Sequence, residues 1–461
     1  MSDKWFSVIM VVVMLPVIVV MAALLSNETK PKKNIILGVT LPFSARYDDE
    51  VEALCASFRK KLWGLTVPLC LLCAPMFFVP WFSVQLTWYM VWIIIVIVAP
   101  YVLYVRTHLR LKALKRQREW YPRRSAQVTT VDITTATAPR RQLSAWWFIP
   151  PLVVSLVPVV LALTVYAGER GMSAWLVLGL SFAAMVLLSW VIYPIIFRLR
   201  TDVAGDDSSV NTALTNVRRA AWGRAWISIA WCTSLCGLAA FLTRRSELEQ
   251  LIVIIVYTFV LLRLCVWTEM GLRRAQEKLT DVSNDDYIDE DEHWIWGIFY
   301  NNPNDFHLTV NDRTDMNMSF NLAKPAGKII MGFCALIVAA MPFFGVWMMG
   351  VEFSPRRIEL TDNAVEVVHL TRQFTVDFDQ VERAELLAEL PDTYRTNGTG
   401  MDGLKEGHFT VDGYGKCRLC LDPRESPFIA LTAGDVTYIF NAETPEETEG
   451  VFNRIRSESN A

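Results

Sequence analysis

Residues 5–25 read "WFSVIMVVVMLPVIVVMAALL", a stretch without a single charged side chain. A helix of about 20 residues spans roughly 30 Å, the thickness of the hydrocarbon core of a bilayer. Backbone amides must be paired in lipid, so a run that enters a membrane must be helical. The apolar stretch is longer than the core of a cleaved signal peptide and lacks a convincing small-x-small cleavage pattern. The sequence therefore predicts a retained transmembrane helix.

Similar apolar runs recur along the chain, which is 53% hydrophobic and has a positive mean hydropathy. This exceeds the usual apolar share of a soluble domain. The sequence predicts an α-helical, polytopic protein of the cell membrane with about eight transmembrane helices. The predicted spans lie near residues 5–25, 62–80, 86–105, 145–167, 173–197, 222–242, 250–268 and 328–350.

The charges between these runs alternate in density. Four segments carry seven, ten, four and five Lys or Arg residues, namely 26–61, 106–144, 198–220 and 269–327. The alternate segments carry none, one and two, namely 81–85, 168–172 and 243–249. Cationic loops stay on the cytoplasmic side, so the first set is expected inside and both termini outside.

Charge within the spans is scarce, and Arg263 is the clearest candidate for an intramembrane charge. Such a residue indicates a functional site by default, but a long side chain near a helix end can also snorkel to the interface. The CxxC pair Cys417 and Cys420 lacks a second pair or a histidine cluster, and in a strand its members point to opposite faces. We therefore predict no catalytic, metal-binding or cofactor-binding residues.

The chain changes character after residue 351. Residues 352–461 contain seven short alternating segments divided by turn signals, which predicts a small antiparallel barrel or sandwich. Thr444, Pro445 and Glu447 form a capping box that opens a terminal helix. The segments are "RRIEL", "AVEVVHL", "RQFTVDF", "HFTVDG", "KCRLCL", "PFIALTA" and "DVTYIFN".

An acidic linker and an aromatic stretch precede the last span. Seven of the twelve residues 281–292 are acidic, which predicts a hydrated linker. "WIWGIFYNNP" follows at 294–303. Trp and Tyr prefer the headgroup region, so we expect a compact turn-and-hairpin module at the inner membrane surface. Ligand binding is the alternative interpretation. The predicted regions are therefore 1–280 (transmembrane helices), 281–327 (linker and module), 328–350 (last span) and 352–461 (terminal domain).

Seven strands closed by a C-terminal helix is the pleckstrin-homology (PH) arrangement. The segments 390–416 and 427–441 resemble a bacterial PH-like domain found in uncharacterised multi-pass membrane proteins. The Gly-Val-x-x-Pro segment within 36–61 and the module at 294–327 are similar to the same family. More distant relatives of the membrane part include immunity proteins that protect a cell against its own membrane-active toxin.

The resemblance implies a signature module but no activity. Its residues here are Trp294, Gly297, Tyr300, Asn301, Pro303 and Asp305. The stretch "FHLTVNDRTDM" after Asp305 lacks the basic, strongly apolar character of the relatives, which puts a partner contact there in doubt.

Three classes of function compete. An enzyme is disfavoured because HExxH, Gly-x-Ser-x-Gly and the P-loop pattern are missing. A transporter is the alternative, although no internal repeat or polar midplane site stands out. The favoured hypothesis is a non-enzymatic sensor, immunity or scaffold protein.

We expect its partners to be the lipid bilayer and a protein, not nucleic acid, and its oligomeric state stays open. Residues 391–407, "PDTYRTNGTGMDGLKEG", form the longest predicted non-strand segment of the PH-like domain. Loops of this length are either functional or disordered, and Tyr and Arg are enriched in interface hot spots. We predict a partner contact at Tyr394, Arg395 and Asn397, and an ordinary hairpin excursion is the alternative.

Overall fold

The computed structural model of the chain describes residues 3–31, 34–121, 143–167, 172–196, 208–279, 289–313, 318–370 and 372–458. Eight helices in this part are long and apolar enough to cross a membrane, as predicted. They are α1 (Asp3–Asn27), α2 (Asp49–Leu71), α3 (Phe82–Gln117), α4 (Ile149–Leu163), α5 (Met172–Ile196), α6 (Ser208–Leu242), α7 (Glu247–Leu279) and α8 (Pro325–Glu352). The span that contains α4 has 19 residues because it includes the 3-10 turn Ala145–Phe148 before it.

Several helices continue beyond their apolar runs. The second predicted span began at residue 62, but α2 begins at Asp49, where the Asp48 side chain accepts a hydrogen bond from the Glu50 amide at 2.9 Å. Acidic residues in the first turn favour this start. Helix α3 likewise runs past its apolar stretch into the basic segment, to Gln117.

Consecutive helices alternate in direction, so the helix ends form two sets. At one end, Ser7 donates to Gln85 at 2.5 Å, and the Glu352 carboxylate accepts the Ser83 amide at 2.9 Å. The opposite end contains the Glu28–Arg273 ion pair. The ion pairs of Lys115 with Asp289 and Asp291 lie at this end as well. We call it the basic end.

Short hairpins lie at the basic end. The strands are β1 (Ile35–Ile36), β2 (Val39–Thr40), β3 (Trp294–Ile295), β4 (Phe299–Tyr300), β5 (Thr309–Asn311) and β6 (Met318–Phe320), paired in that order as three antiparallel hairpins. The predicted acidic linker falls mostly on residues 280–288, outside the described residues.

The C-terminal domain contains nine strands within the described residues, so the prediction of seven was wrong. Strands β7 (Arg357–Leu360), β8 (Ala364–His369) and β9 (Arg372–Asp377) form one sheet. The other sheet has the order β10-β14-β15-β13-β12-β11, with β10 (Arg383–Leu387), β11 (Thr393–Met401), β12 (Leu404–Val411), β13 (Gly415–Leu421), β14 (Phe428–Ala433) and β15 (Val436–Phe440). The seven predicted segments are all strands, and β10 and β11 are the two that were missed.

The two sheets and a terminal helix, α9 (Pro445–Glu458), enclose the main core of this domain. The Thr444 hydroxyl accepts the Glu447 amide at 3.3 Å, as the capping pattern predicted. Ile455 is fully buried, and Val451 and Phe452 pack beside it. Neighbouring residues of β13 point to opposite faces, so a second apolar cluster lies on the other side of the six-stranded sheet.

Candidate functional site

A buried carboxylate, Asp291, joins three distant parts of the chain at the basic end. Lys115 of α3 donates to it at 2.7 Å, and the Thr40 hydroxyl does so at 2.8 Å. Arg313, beyond β5, forms a further ion pair with Asp291 and donates to the Gly38 carbonyl at 2.5 Å. We call Asp291, Arg313, Lys115 and Thr40 the charge cluster.

The charge cluster is almost completely removed from solvent. The side chains of Asp291 and Arg313 are 5% exposed, and that of Lys115 is 3% exposed. Burial alone would raise the pKa of Asp291, but Arg313 and Lys115 outweigh it and hold that pKa well below its ordinary value. Asp289 also contacts Lys115, at 2.5 Å. Its pKa is raised by burial and by the nearby charge of Asp291.

Two glycines allow the hairpins to approach α3 closely. Gly38 and Gly297 both have positive φ, at +72° and +71°. A Cβ at Gly38 would lie 2.5 Å from the Tyr104 hydroxyl, and one at Gly297 would lie 2.7 Å from Nδ1 of His108. His108 in turn bonds the Leu37 carbonyl at 2.9 Å. The β1–β2 and β3–β4 hairpins therefore approach α3 closely at these two glycines.

A second buried polar network holds the module itself together. The Tyr300 hydroxyl donates to Asp305 at 3.0 Å and accepts from the Asn302 amide at 3.1 Å. Asn321 accepts from the backbone amide of Asn302 at 3.0 Å. His307 lies 2.7 Å from Asp305. These groups link the β3–β4 hairpin to the segment that leads into α8.

The signature residues have different surroundings. Trp294 and Tyr300 are opposite each other across β3 and β4, with ring centroids 5.2 Å apart, and Arg313 lies over the Trp294 ring. Asn301 and Pro303 are exposed. Sequence reasoning named Trp294, Gly297, Tyr300 and Asp305 but missed their buried partners, which are Asp291, Asn302, Arg313, Asn321, Lys115 and Thr40.

The C-terminal domain contacts the opposite end of the helices. Met401 and Leu404, at the turn between β11 and β12, pack against Val351 of α8. Glu352 caps the first turn of α3 through the Ser83 amide. Trp81 and Phe353 meet edge to face at 5.6 Å. The predicted 391–407 loop is thus a hairpin, and its turn has an intramolecular contact.

The three predicted partner-contact residues all lie on β11, an edge strand of the six-stranded sheet. Tyr394, Arg395 and Asn397 are exposed. The strand carries an irregularity between Arg395 and Asn397, where its pairing with β12 shifts by one residue.

The remaining sequence candidates stay apart from these clusters. Arg263 is exposed on α7. Cys417 and Cys420 belong to apolar clusters on opposite faces of β13, as predicted. Burial raises their pKa values to about 11 and about 12, respectively. Among the described residues, no group of three or more His, Cys, Asp or Glu could hold a metal ion.

Residues 356–458 match the family described as Bacterial PH domain. The match begins just before β7 and ends with α9, so the C-terminal sheet domain is PH-like. No curated protein and no solved structure matches the chain.

Proposed function

We propose that the chain is a multi-pass membrane protein without enzymatic activity, most simply a transmembrane sensor, whose PH-like domain binds a protein partner. A scaffold or immunity role uses the same surfaces, and the resemblance to immunity proteins adds weight to it. The observation that carries the proposal is that one helix, α3, contacts both candidate functional regions.

Helix α3 has 36 residues, which corresponds to a length of about 54 Å at 1.5 Å per residue. At its first turn, Ser83 is held by Glu352, beside the hairpin turn of the PH-like domain. Near its last turn, Lys115 is held by the charge cluster. A shift of the PH-like domain can therefore reach the module through a single continuous helix.

Loop charges favour one orientation in the membrane. The segments 26–61, 106–144, 198–220 and 269–327 carry most of the loop cations, and cationic loops stay in the cytoplasm. The module is then cytoplasmic, and the PH-like domain lies outside. A reporter active only in the cytoplasm should give no signal when fused after Ala461 but a strong signal when inserted after Ala126. The reverse result would overturn the orientation.

The partner of the PH-like domain is proposed to be a protein rather than an anionic lipid. Residues 352–461 contain eleven Lys or Arg against twenty-one Asp or Glu, and a surface of that sign repels anionic headgroups. Tyr394 and Arg395 lie exposed on an edge strand, where partner chains can add.

Hydrogen exchange of the full chain in nanodiscs tests transmission along α3. Leu404→Asp introduces a charge into the buried contact of the hairpin turn. Leu386→Asp is the matched control, because Leu386 is 37% exposed on β10. We expect Leu404→Asp alone to speed exchange at residues 83–85 and to alter exchange at residues 294–300. If residues 83–85 respond and residues 294–300 do not, the two ends are not coupled and the sensor proposal fails.

A further inference from the structure

A groove of about 250 Å³ opens between the two sheets of the PH-like domain. It exists because the sheets differ in width. The three-stranded sheet packs on β13, β14 and β15, where Phe374 contacts Tyr438 and Phe440. The six-stranded sheet continues past β13 to β12 and β11. The three-stranded sheet therefore does not cover the inner face of β12 and β11, and the groove lies between this face and the edge strand β9.

The floor of the groove contains a buried carboxylate. Glu406 of β12 is only 6% exposed and lines the groove. Its Oε1 atom has no hydrogen-bond partner among the described residues, and neither ring nitrogen of His369 has one. Nδ1 of His369 lies 3.3 Å from this oxygen. A buried polar atom without a partner is rare in folded proteins and calls for an explanation such as a ligand.

Cationic side chains surround the mouth. Arg372 of β9 has its Nη1 atom 4.0 Å from Oε2 of Glu406. Arg418 of β13 donates to the Gln373 carbonyl at 3.1 Å, and its guanidinium lies over the Phe374 ring at 5.6 Å. These contacts fix Arg418 at the rim. The groove thus presents two guanidinium groups outside one buried carboxylate.

We propose that this groove binds a small zwitterion, whose ammonium group bonds Glu406 and whose carboxylate or phosphate lies between Arg372 and Arg418. A simple anion would satisfy the arginines but leave Glu406 with only its contacts to His369 at 3.3 Å and Arg372 at 4.0 Å, neither of which is a well-formed hydrogen bond. A simple cation would meet two guanidinium groups at the mouth. A volume of about 250 Å³ suits a molecule the size of an amino acid or a phosphoethanolamine group. The site is separate from the α3 contacts, so it does not depend on the sensor proposal.

Titration calorimetry on the full chain in detergent tests this. The probes are glutamate and phosphoethanolamine, each compared with its ammonium-free analogue, glutarate or ethyl phosphate. We expect at least one zwitterion to bind, and removal of its ammonium to weaken binding about 10- to 100-fold, as for loss of one charge-assisted hydrogen bond. No binding up to about 10 mM, the weak end of specific affinity, would overturn the proposal, as would equal affinity for the analogues.

Variants assign the two ends of the ligand. Glu406→Gln keeps the shape of the side chain and should remove the preference for the ammonium group. Arg372→Ala changes a side chain that is 52% exposed, so it should weaken binding without affecting folding. Arg383→Ala, an exposed arginine on β10, is the matched control. If Glu406→Gln does not fold, Arg372→Ala decides, and wild-type affinity in that variant refutes the site.

A final arm separates a lipid headgroup from a free metabolite. Phosphoethanolamine is titrated into the chain in nanodiscs of phosphatidylethanolamine and, in parallel, of phosphatidylglycerol. Loss of the binding heat only in phosphatidylethanolamine identifies the lipid as the ligand. Equal heats identify a free zwitterion. Both results support the site and assign its source.

Discussion

Replacing Asp291 with asparagine removes a carboxylate that contacts both Arg313 and Lys115. Arg313 is then buried beside a neutral amide, while Lys115 keeps its contact with Asp289. At 2.7 Å from Lys115, one such contact is worth about 6 kcal/mol at an effective dielectric constant near 20. Desolvation offsets much of this. Breaking a buried pair from one side typically costs about 3–5 kcal/mol, and we expect Asp291→Asn to fall in that range.

Hydrogen exchange at Leu41 measures this cost locally. The Leu41 amide donates to the Asn34 carbonyl at 2.7 Å in the segment held by the charge cluster, and it does not contact Asp291 itself. A loss of about 3–5 kcal/mol should lower its protection by roughly two to three and a half orders of magnitude.

The matched control is Glu50→Gln, which breaks the Arg118–Glu50 ion pair. That pair is 2.9 Å long but about half exposed at each side chain. Exposed pairs contribute about 0–1 kcal/mol, so protection at Leu41 should change less than tenfold. If Asp291→Asn lowers protection no more than Glu50→Gln, the charge cluster does not anchor the module.

Acidification should leave the charge cluster intact over a wide range. The folded pKa of Asp291 is lowered, so its stabilisation is complete above the ordinary value of about 4. It is lost as the pH falls from there through the folded value. Asp289 has a raised pKa. When it takes up a proton, its charge repulsion with Asp291 is removed. Burial lowers the pKa of His108, so the neutral ring that contacts Leu37 contributes less stability as the pH falls below about 6.5. This effect is shared by the wild type and Asp291→Asn. We therefore expect the loss of protection at Leu41 caused by Asp291→Asn to be the same at pH 5.5 as at pH 7.5, and a much smaller loss at pH 5.5 would contradict this assignment.

The remaining predictions concern the hairpins and the PH-like domain. Gly297→Ala places a Cβ 2.7 Å from His108 at a residue with positive φ, so we expect the thermal midpoint to fall by several degrees. Gly332→Ala is the control, because Gly332 has open space around it and its midpoint should not change. Equal midpoints for the two variants would refute the close approach of Gly297 to α3. Changing Tyr394 and Arg395 together to alanine should leave the midpoint nearly unchanged while reducing partner capture, and misfolding would show that they belong to the fold. The PH-like domain has an excess of acidic residues and should not co-sediment with phosphoinositide liposomes at low salt. Charge-dependent binding would refute the argument that its surface repels anionic headgroups.

Much of the architecture follows from local patterns. Apolar runs of about 20 residues have few alternatives to a helix, and seven of the nine strands alternate clearly between faces. Strand β11 gave no such signal. It contains Asn397, Gly398 and Gly400, residue types that are depleted in strands. It forms because β12 supplies its hydrogen bonds along most of its length.

The charge cluster was beyond the reach of local patterns. Asp291 belongs to an acidic run, and nothing nearby distinguishes it from Asp289 or Glu292. Its partner Lys115 lies 176 residues away, so only the packing of the hairpins on α3 selects it. One signal was present: Arg313 is the only Lys or Arg between Lys278 and Lys324. A lone cation in an acidic and aromatic region favours a buried ion pair over a solvated surface.

The two ends of α3 differ in how firmly they are held, which bears on the proposed sensor role. At the basic end, Lys115 is fixed by buried charges that are costly to separate. At the other end, the PH-like domain rests on a small apolar contact of Met401, Leu404 and Val351, together with the Glu352 cap, which gains from the helix dipole. The contact of Met401, Leu404 and Val351 is the weaker of the two, so we expect it to open first. Strand β11 ends at Met401 in this contact, so a partner bound to β11 acts on that end of α3. Coupling between the two ends is reciprocal, but we expect a partner of the PH-like domain to displace its own end of α3 more readily than a ligand of the module displaces the charge cluster.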